Sequence, residues 1–233
     1  MKRFYKNAGT SAVEDGFAVQ LDGRNIKTPA KAGLVLPALA LAEAVAAEWQ
    51  AQGEEIDPQS MPIMTLASTV IDRVVPNHAE VAEIVASYGE SDLLCYRATA
   101  EQPELVKRQQ DAWQPWLDWA MRQLDAPLSV TEGIMHVDQP SDSLNALKTV
   151  VEACDAYELA SLHEFTSLTG SLVLGIAVLK GELEAGTAFD LAHVDEEHQA
   201  ELWGRDEEAE ARLEKRKGDL LNAAEFLRLL RLA

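Results

Sequence analysis

Pro62-Ile63-Met64-Thr65-Leu66-Ala67-Ser68-Thr69-Val70-Ile71-Asp72-Arg73-Val74 is the stretch on which the fold turns. Ile63, Leu66, Ala67, Val70, Ile71 and Val74 fall on one face of a helix that opens at a proline. Upstream of it the period is two. Phe17, Val19 and Leu21 alternate with Ala18 and Gln20, and Asp22-Gly23 supplies the positive φ angles of a two-residue turn between antiparallel strands. This change of period predicts an α+β protein, with a small α/β domain over residues 1–60 and a larger multihelical domain over residues 61–233.

Working outward, a short strand is expected at Leu34-Val35-Leu36, with Pro37 in the first turn of a helix reaching Gln52 and Gly53 as its stop. Leu41, Val45 and Trp49 recur every four residues along that helix. Downstream, Val81, Ile84, Val85 and Tyr88 form one helical face, and Leu105, Gln109, Trp113, Trp116, Leu117 and Ala120 form a longer one. Leu144, Leu147, Val151 and Cys154 follow. The apolar run at 168–179 is too short to span a membrane and reads as a buried helix. Thr187 and Asp190 resemble a capping box opening a helix through Leu191, Val194, His198 and Leu202, and Asp206 is expected to cap the last helix.

The chain has 233 residues, 47% of them apolar, enough to bury a core without disulfides or metal. Its net charge of −19 disfavours nucleic acid and anionic membranes as partners. Cys95 and Cys154 form no CxxC and read as buried thiols of a reducing compartment. The N-terminus enters strand-like sequence at once, so a cytoplasmic location is expected.

The common catalytic patterns are missing. Gly23 to Thr28 ends in Lys-Thr but carries Ile26 where a phosphate loop needs its second glycine, and it lies in a hairpin. No GxGxxG occurs, and Gly170-Ser171 with Gly175 makes no nucleophile elbow. Asp195 and His198 could form half of a carboxylate-x-x-His metal site, but no second half appears, and His193 and His198 are five apart rather than four. No cofactor, metal or nucleotide is therefore expected, and the chain reads as a non-enzyme. A hydrolase using a carboxylate pair and a permanent structural subunit are the alternative readings.

The conspicuous cluster is Asp195-Glu196-Glu197, then Gln199, Trp203-Gly204 and Asp206-Glu207-Glu208. Acid beside a tryptophan suits recognition of a basic surface through an aromatic anchor. A solvated helix with Trp203 plugging the core would also account for it. On a helix Glu196 and Glu197 sit about 100 degrees apart, so one is expected toward the core and the other toward solvent.

Arg3-Phe4-Tyr5-Lys6, Phe17, Leu21-Asp22-Gly23-Arg24 and Lys27-Thr28-Pro29 resemble the opening signature of the alpha-subunit assembly chaperones of mitochondrial and alphaproteobacterial F-type ATP synthase. Leu41-Ala42, Ala46, Glu48-Trp49 and Gln52 are similar to that family's first helix, and Ser91 to Arg97 to its central motif. Gln109, Trp113, Pro115 and Trp119-Ala120 follow in order, and Glu196-Glu197, Gln199 and Trp203-Gly204 match the C-terminal motif. His198 stands where the family often has an aromatic residue. The resemblance implies a chaperone, monomeric when free, that binds the free alpha subunit, prevents its aggregation and releases it to the beta subunit. With the acidic cluster, it makes Asp195, Glu196, Glu197, Gln199, Trp203 and Asp206 the candidate partner-binding residues.

Overall fold

The computed structural model describes residues 1–232. Strands β1 (Ala8–Val13), β2 (Gly16–Leu21), β3 (Arg24–Asn25) and β4 (Val35–Leu36) form an antiparallel sheet in which β2 pairs with the other three. The β2–β3 turn is the expected one, with Asp22 at φ 48° and Gly23 at φ 77°. Gly16 opens β2 at φ 140°, where a Cβ would lie 2.4 Å from the Leu36 carbonyl oxygen. Ala18 and Val19, whose side chains leave opposite faces of β2, are both fully buried, so the strand is covered on both faces and is less cleanly two-sided than its alternation suggests.

Helix α1 (Leu39–Gln50) starts two residues later than expected, leaving Pro37 outside the helix ahead of Ala38. Its C-terminus is stapled by the opening motif. Arg3 donates to the Gln50 carbonyl at 3.2 Å, placing a cation where the helix dipole favours one, and Tyr5 Oη donates to the Trp49 carbonyl at 2.6 Å. Glu48 in turn caps α2 (Pro62–Thr69), accepting from the Ile63 and Met64 amides at 2.8 and 2.7 Å, and burial holds its carboxyl above the usual range. After α2 the chain passes through a π-helical turn at Val70–Val74 and a 3-10 turn at Val75–Asn77 before α3 (His78–Ser87). On α3 the buried residues are Ala82 and Val85, whereas Ile84, expected on the core face, is exposed.

After α3 come β5 (Tyr96–Arg97), α4 (Pro103–Gln123), β6 (Thr131–Glu132), α5 (Ser141–Glu152), α6 (Ala156–Thr169), α7 (Leu172–Leu179), α8 (Ala185–Ala192), α9 (Val194–Trp203) and α10 (Glu207–Leu230). Residue contacts gather into two compact units. Among the described residues, one comprises 1–78, 155–161 and 222–232, and the other 79–154 and 162–221. In the first, Tyr157 stacks on Phe226 with ring centroids 6.2 Å apart. In the second, α7 is the core. Asp92, fully buried, accepts from the Val173 and Leu94 amides at 3.0 Å each, and Ser171 caps α7 through the Leu174 amide. Gly175 lets α7 approach α6 closely, for a Cβ there would lie 2.6 Å from Thr166 Oγ1. Cys95 and Cys154 are buried, and burial pushes the Cys95 thiol up to about 12.

Two helical expectations are corrected. The apolar run at 168–179 is broken by Gly170 at φ 68°, so Leu168 and Thr169 end α6 and the buried helix begins at Leu172. The helix expected through Leu191 to Leu202 is two helices, because His193 departs from helical geometry at φ −111° and ψ 25°. Thr187 lies inside α8 rather than at its cap.

Candidate partner-binding site

Helix α9 is anchored along one face and bare along the other. On its inner face, Asp195 accepts from Gln109 Nε2 at 2.7 Å, His198 is buried, and Glu201 takes Arg108 Nη2 at 2.6 Å. The hydrogen bond from Arg108 holds the Glu201 carboxyl below its usual range. Gln109 is the hub: its Oε1 accepts from the Ala98 amide at 2.7 Å and its backbone carbonyl from Arg97 Nη1 at 2.6 Å. Burial lowers the Arg97 guanidinium below its ordinary value, and that group lies 5.2 Å from the Trp113 ring centroid. Trp113 Nε1 closes the set by donating to the Leu191 carbonyl at 2.7 Å. Residues from the central motif, α4 and the C-terminal motif therefore form one network, buried at Arg97, Gln109 and Trp113 and half-buried at Asp195.

The outer face of α9 carries Glu196, Gln199 and Trp203, spaced three and four apart on one exposed stripe. Trp203 is 79% exposed and Leu202 beside it 59%, so Trp203 does not plug the core. Glu196 and Glu197 both face solvent; the core position expected of one of them is taken by His198. Glu197 pairs with Arg205, which also bonds Glu210 at 2.8 Å. Gly204 ends the helix at φ 93°, and Asp206 Oδ1 then caps α10 by accepting from the Ala209 amide at 2.8 Å. Glu196, Gln199 and Trp203 line a groove of about 500 Å³ together with Arg205, Arg212 and Arg216.

Of the candidate residues, then, Asp195 and Asp206 carry local structure, Glu197 is in an ion pair, and among the described residues Glu196, Gln199 and Trp203 have no such duties. Arg97, Gln109 and Trp113 appear in the motifs, but nothing in their spacing shows that they converge on Asp195. Among the described residues, no group of three or more His, Cys, Asp and Glu side chains is gathered to hold a metal. No helix among them is long and apolar enough to cross a membrane.

The helical unit thus presents an anchored helix whose outer stripe carries a carboxylate, an amide and an exposed tryptophan. A family model described as ATP12 chaperone protein matches residues 2–121. The crystal structure of Atp12 from Paracoccus denitrificans superposes with a TM-score of 0.95 at 44% identity, covering 99% of this chain and 98% of that one. A structure from Agrobacterium tumefaciens gives 0.94 at 43%, covering 99% and 86%. Protein atp12, mitochondrial, of Schizosaccharomyces pombe is 26% identical over 89% of this chain and 75% of its own length. The chain belongs to the ATP12 chaperone family: it is an assembly chaperone for ATP synthase and not an enzyme. That assignment replaces the carboxylate-hydrolase alternative.

Proposed function

We propose that this chaperone binds the free alpha subunit of the F-type ATP synthase in the bacterial cytosol, prevents its aggregation and releases it to the beta subunit. The contact is made by the outer stripe of α9. The observation that carries the reading is Trp203, a large aromatic side chain left 79% exposed at the end of a helix whose opposite face is hydrogen-bonded in place. An exposed aromatic on a rigid support loses little entropy on binding and suits a central anchor. Glu196 and Gln199 flank it, while Asp195, Glu197 and Asp206 hold the helix ends that present it.

A subunit that buries a large interface in its final ring exposes apolar surface while alone, and such surface promotes aggregation. Covering it reversibly needs no nucleotide and no catalytic residue. The free chaperone is a monomer in this reading, and the acidic stripe speeds encounter without slowing release.

The test is co-purification of alpha with Trp203→Ala and Glu196→Lys, each checked by its melting curve. A hot spot costs about 2 kcal/mol or more of binding, roughly thirtyfold, in a protein that melts as the parent does. Full retention of alpha by both variants would remove α9 from the interface.

A further inference from the structure

A second surface lies wholly within the first compact unit. Trp49 of α1, Ile56, and Met61 and Met64 at the start of α2 line a groove of about 800 Å³, with Pro29 on the facing loop. This is the larger of the two grooves described; Ile56, Met61 and Met64 are largely buried and form its apolar floor, while Trp49 is half-buried. Its walls are mixed in charge, but the two signs differ in availability. Asp72 is committed: it accepts from Thr28 Oγ1 at 2.6 Å and from the Ala30 amide at 2.9 Å. Lys27 and Arg73 are exposed on the same walls, and among the described residues neither has a carboxylate within ion-pair distance. In a chain with 39 acidic and 20 basic residues, an apolar groove whose uncommitted charges are both basic stands against the general field.

We propose that this groove holds an apolar polypeptide segment carrying a carboxylate, seated on Trp49 and Met64 with its acid between Lys27 and Arg73. The walls favour a polypeptide over a simple anionic amphiphile. The hydroxyls of Thr65 and Thr69 donate back along α2 to the Met61 and Thr65 carbonyls at 2.9 Å each, which leaves their lone pairs to accept from peptide amides. An alkyl chain offers no such donors. The inference takes from the reading above only that the client is a polypeptide; it does not depend on α9.

The test is selection of a phage-displayed library of random short peptides on the intact protein, with laurate as a competing amphiphile. Three variants accompany it. Thr65→Trp fills the groove from an exposed position of α2, the double variant Lys27→Glu/Arg73→Glu inverts its charge, and Glu196→Lys alters α9 alone. The expected result is enrichment of apolar peptides containing Asp or Glu, lost on Thr65→Trp and weakened at least about tenfold by the charge inversion. Binding unchanged in Glu196→Lys then separates the groove from the α9 reading, whose failure would leave this result standing. Peptides that survive groove filling, an enriched set without acidic residues, or occupancy by laurate with no peptide selected would each overturn the proposal.

Discussion

Helices α7 and α9 are short helices of the same compact unit, yet they are built to opposite specifications. Every side chain of Leu172–Leu179 is buried, whereas along Val194–Trp203 His198 is the buried residue. α7 is stabilised by removing apolar area from water at about 25 cal/mol per Å². α9 has little such area to remove and is instead fixed by hydrogen bonds to Gln109 and Arg108. The difference teaches where freedom to evolve a surface lies. A helix held by its packing cannot change its side chains without cavities or strain, but a helix held by polar contacts on one face leaves the other face available for a partner.

The sharpest way to break the comparison is to unseat α7. Asp92→Ala leaves the Val173 and Leu94 amides buried without acceptors, which should cost about 3 kcal/mol or more and lower the melting temperature by roughly 6–12 °C. Its pH dependence has a definite sign. Burial raises the Asp92 carboxyl in the folded state above its ordinary 3.8, so the folded chain binds the proton more tightly than the unfolded chain. The stability linked to that proton is fully present below the unfolded value and is lost as pH rises through the folded one. Denaturant titrations should therefore show the gap between parent and variant at its widest in acid, narrowing as pH rises. A gap that widens with pH would contradict burial as the controlling influence on this group.

A smaller effect is expected from Gln109→Leu, which keeps side-chain bulk but removes the bonds to the Ala98 amide and Asp195. The loss should be about 1–3 kcal/mol. Its distinguishing mark is local: amide exchange should accelerate in α9 while α7 keeps its protection. Equal acceleration in both helices would show that the network supports the whole unit rather than α9 locally, and unchanged exchange in α9 would show that something else holds it.

Much of α7 was legible in the sequence, because an apolar run bounded by glycine and lysine has few other places to go. The Asp22-Gly23 turn and the Asp206 cap were legible for a similar reason, each being a local device with its residues adjacent in sequence. α6 was not. Its buried positions include Ser161, Thr166 and Thr169, so polar residues interrupt the apolar period that would announce it. The break at His193 also escaped, since apolar residues on both sides keep helical spacing across it. Of the candidate site, the exposed stripe could be named from composition and resemblance, but the division of labour within it could not. Asp195 looks like its acidic neighbours in sequence and differs because Gln109, 86 positions away, donates to it.

That division yields the smallest and most discriminating effect. Glu196 and Glu197 are adjacent, alike in charge and both exposed, yet Glu197 pairs with Arg205 while the ion pairs of the described residues do not include Glu196. Exposed ion pairs gain little because solvent screens them and two long side chains must be held still. Glu196→Lys should therefore leave the melting temperature unchanged within about 1 °C, the ordinary outcome for a surface position. Glu197→Lys replaces attraction by repulsion beside an arginine that also serves Glu210 at the turn into α10, and should lower the melting temperature by about 1–3 °C at low salt. The difference should shrink in high salt, because screening weakens the repulsion. Alpha-subunit retention should rank the other way, with Glu196→Lys the more damaging, since Glu196 shares the outer stripe with Trp203. If Glu197→Lys proves worse on both measures at every salt concentration, the Arg205 turn rather than the stripe is the surface that meets the client.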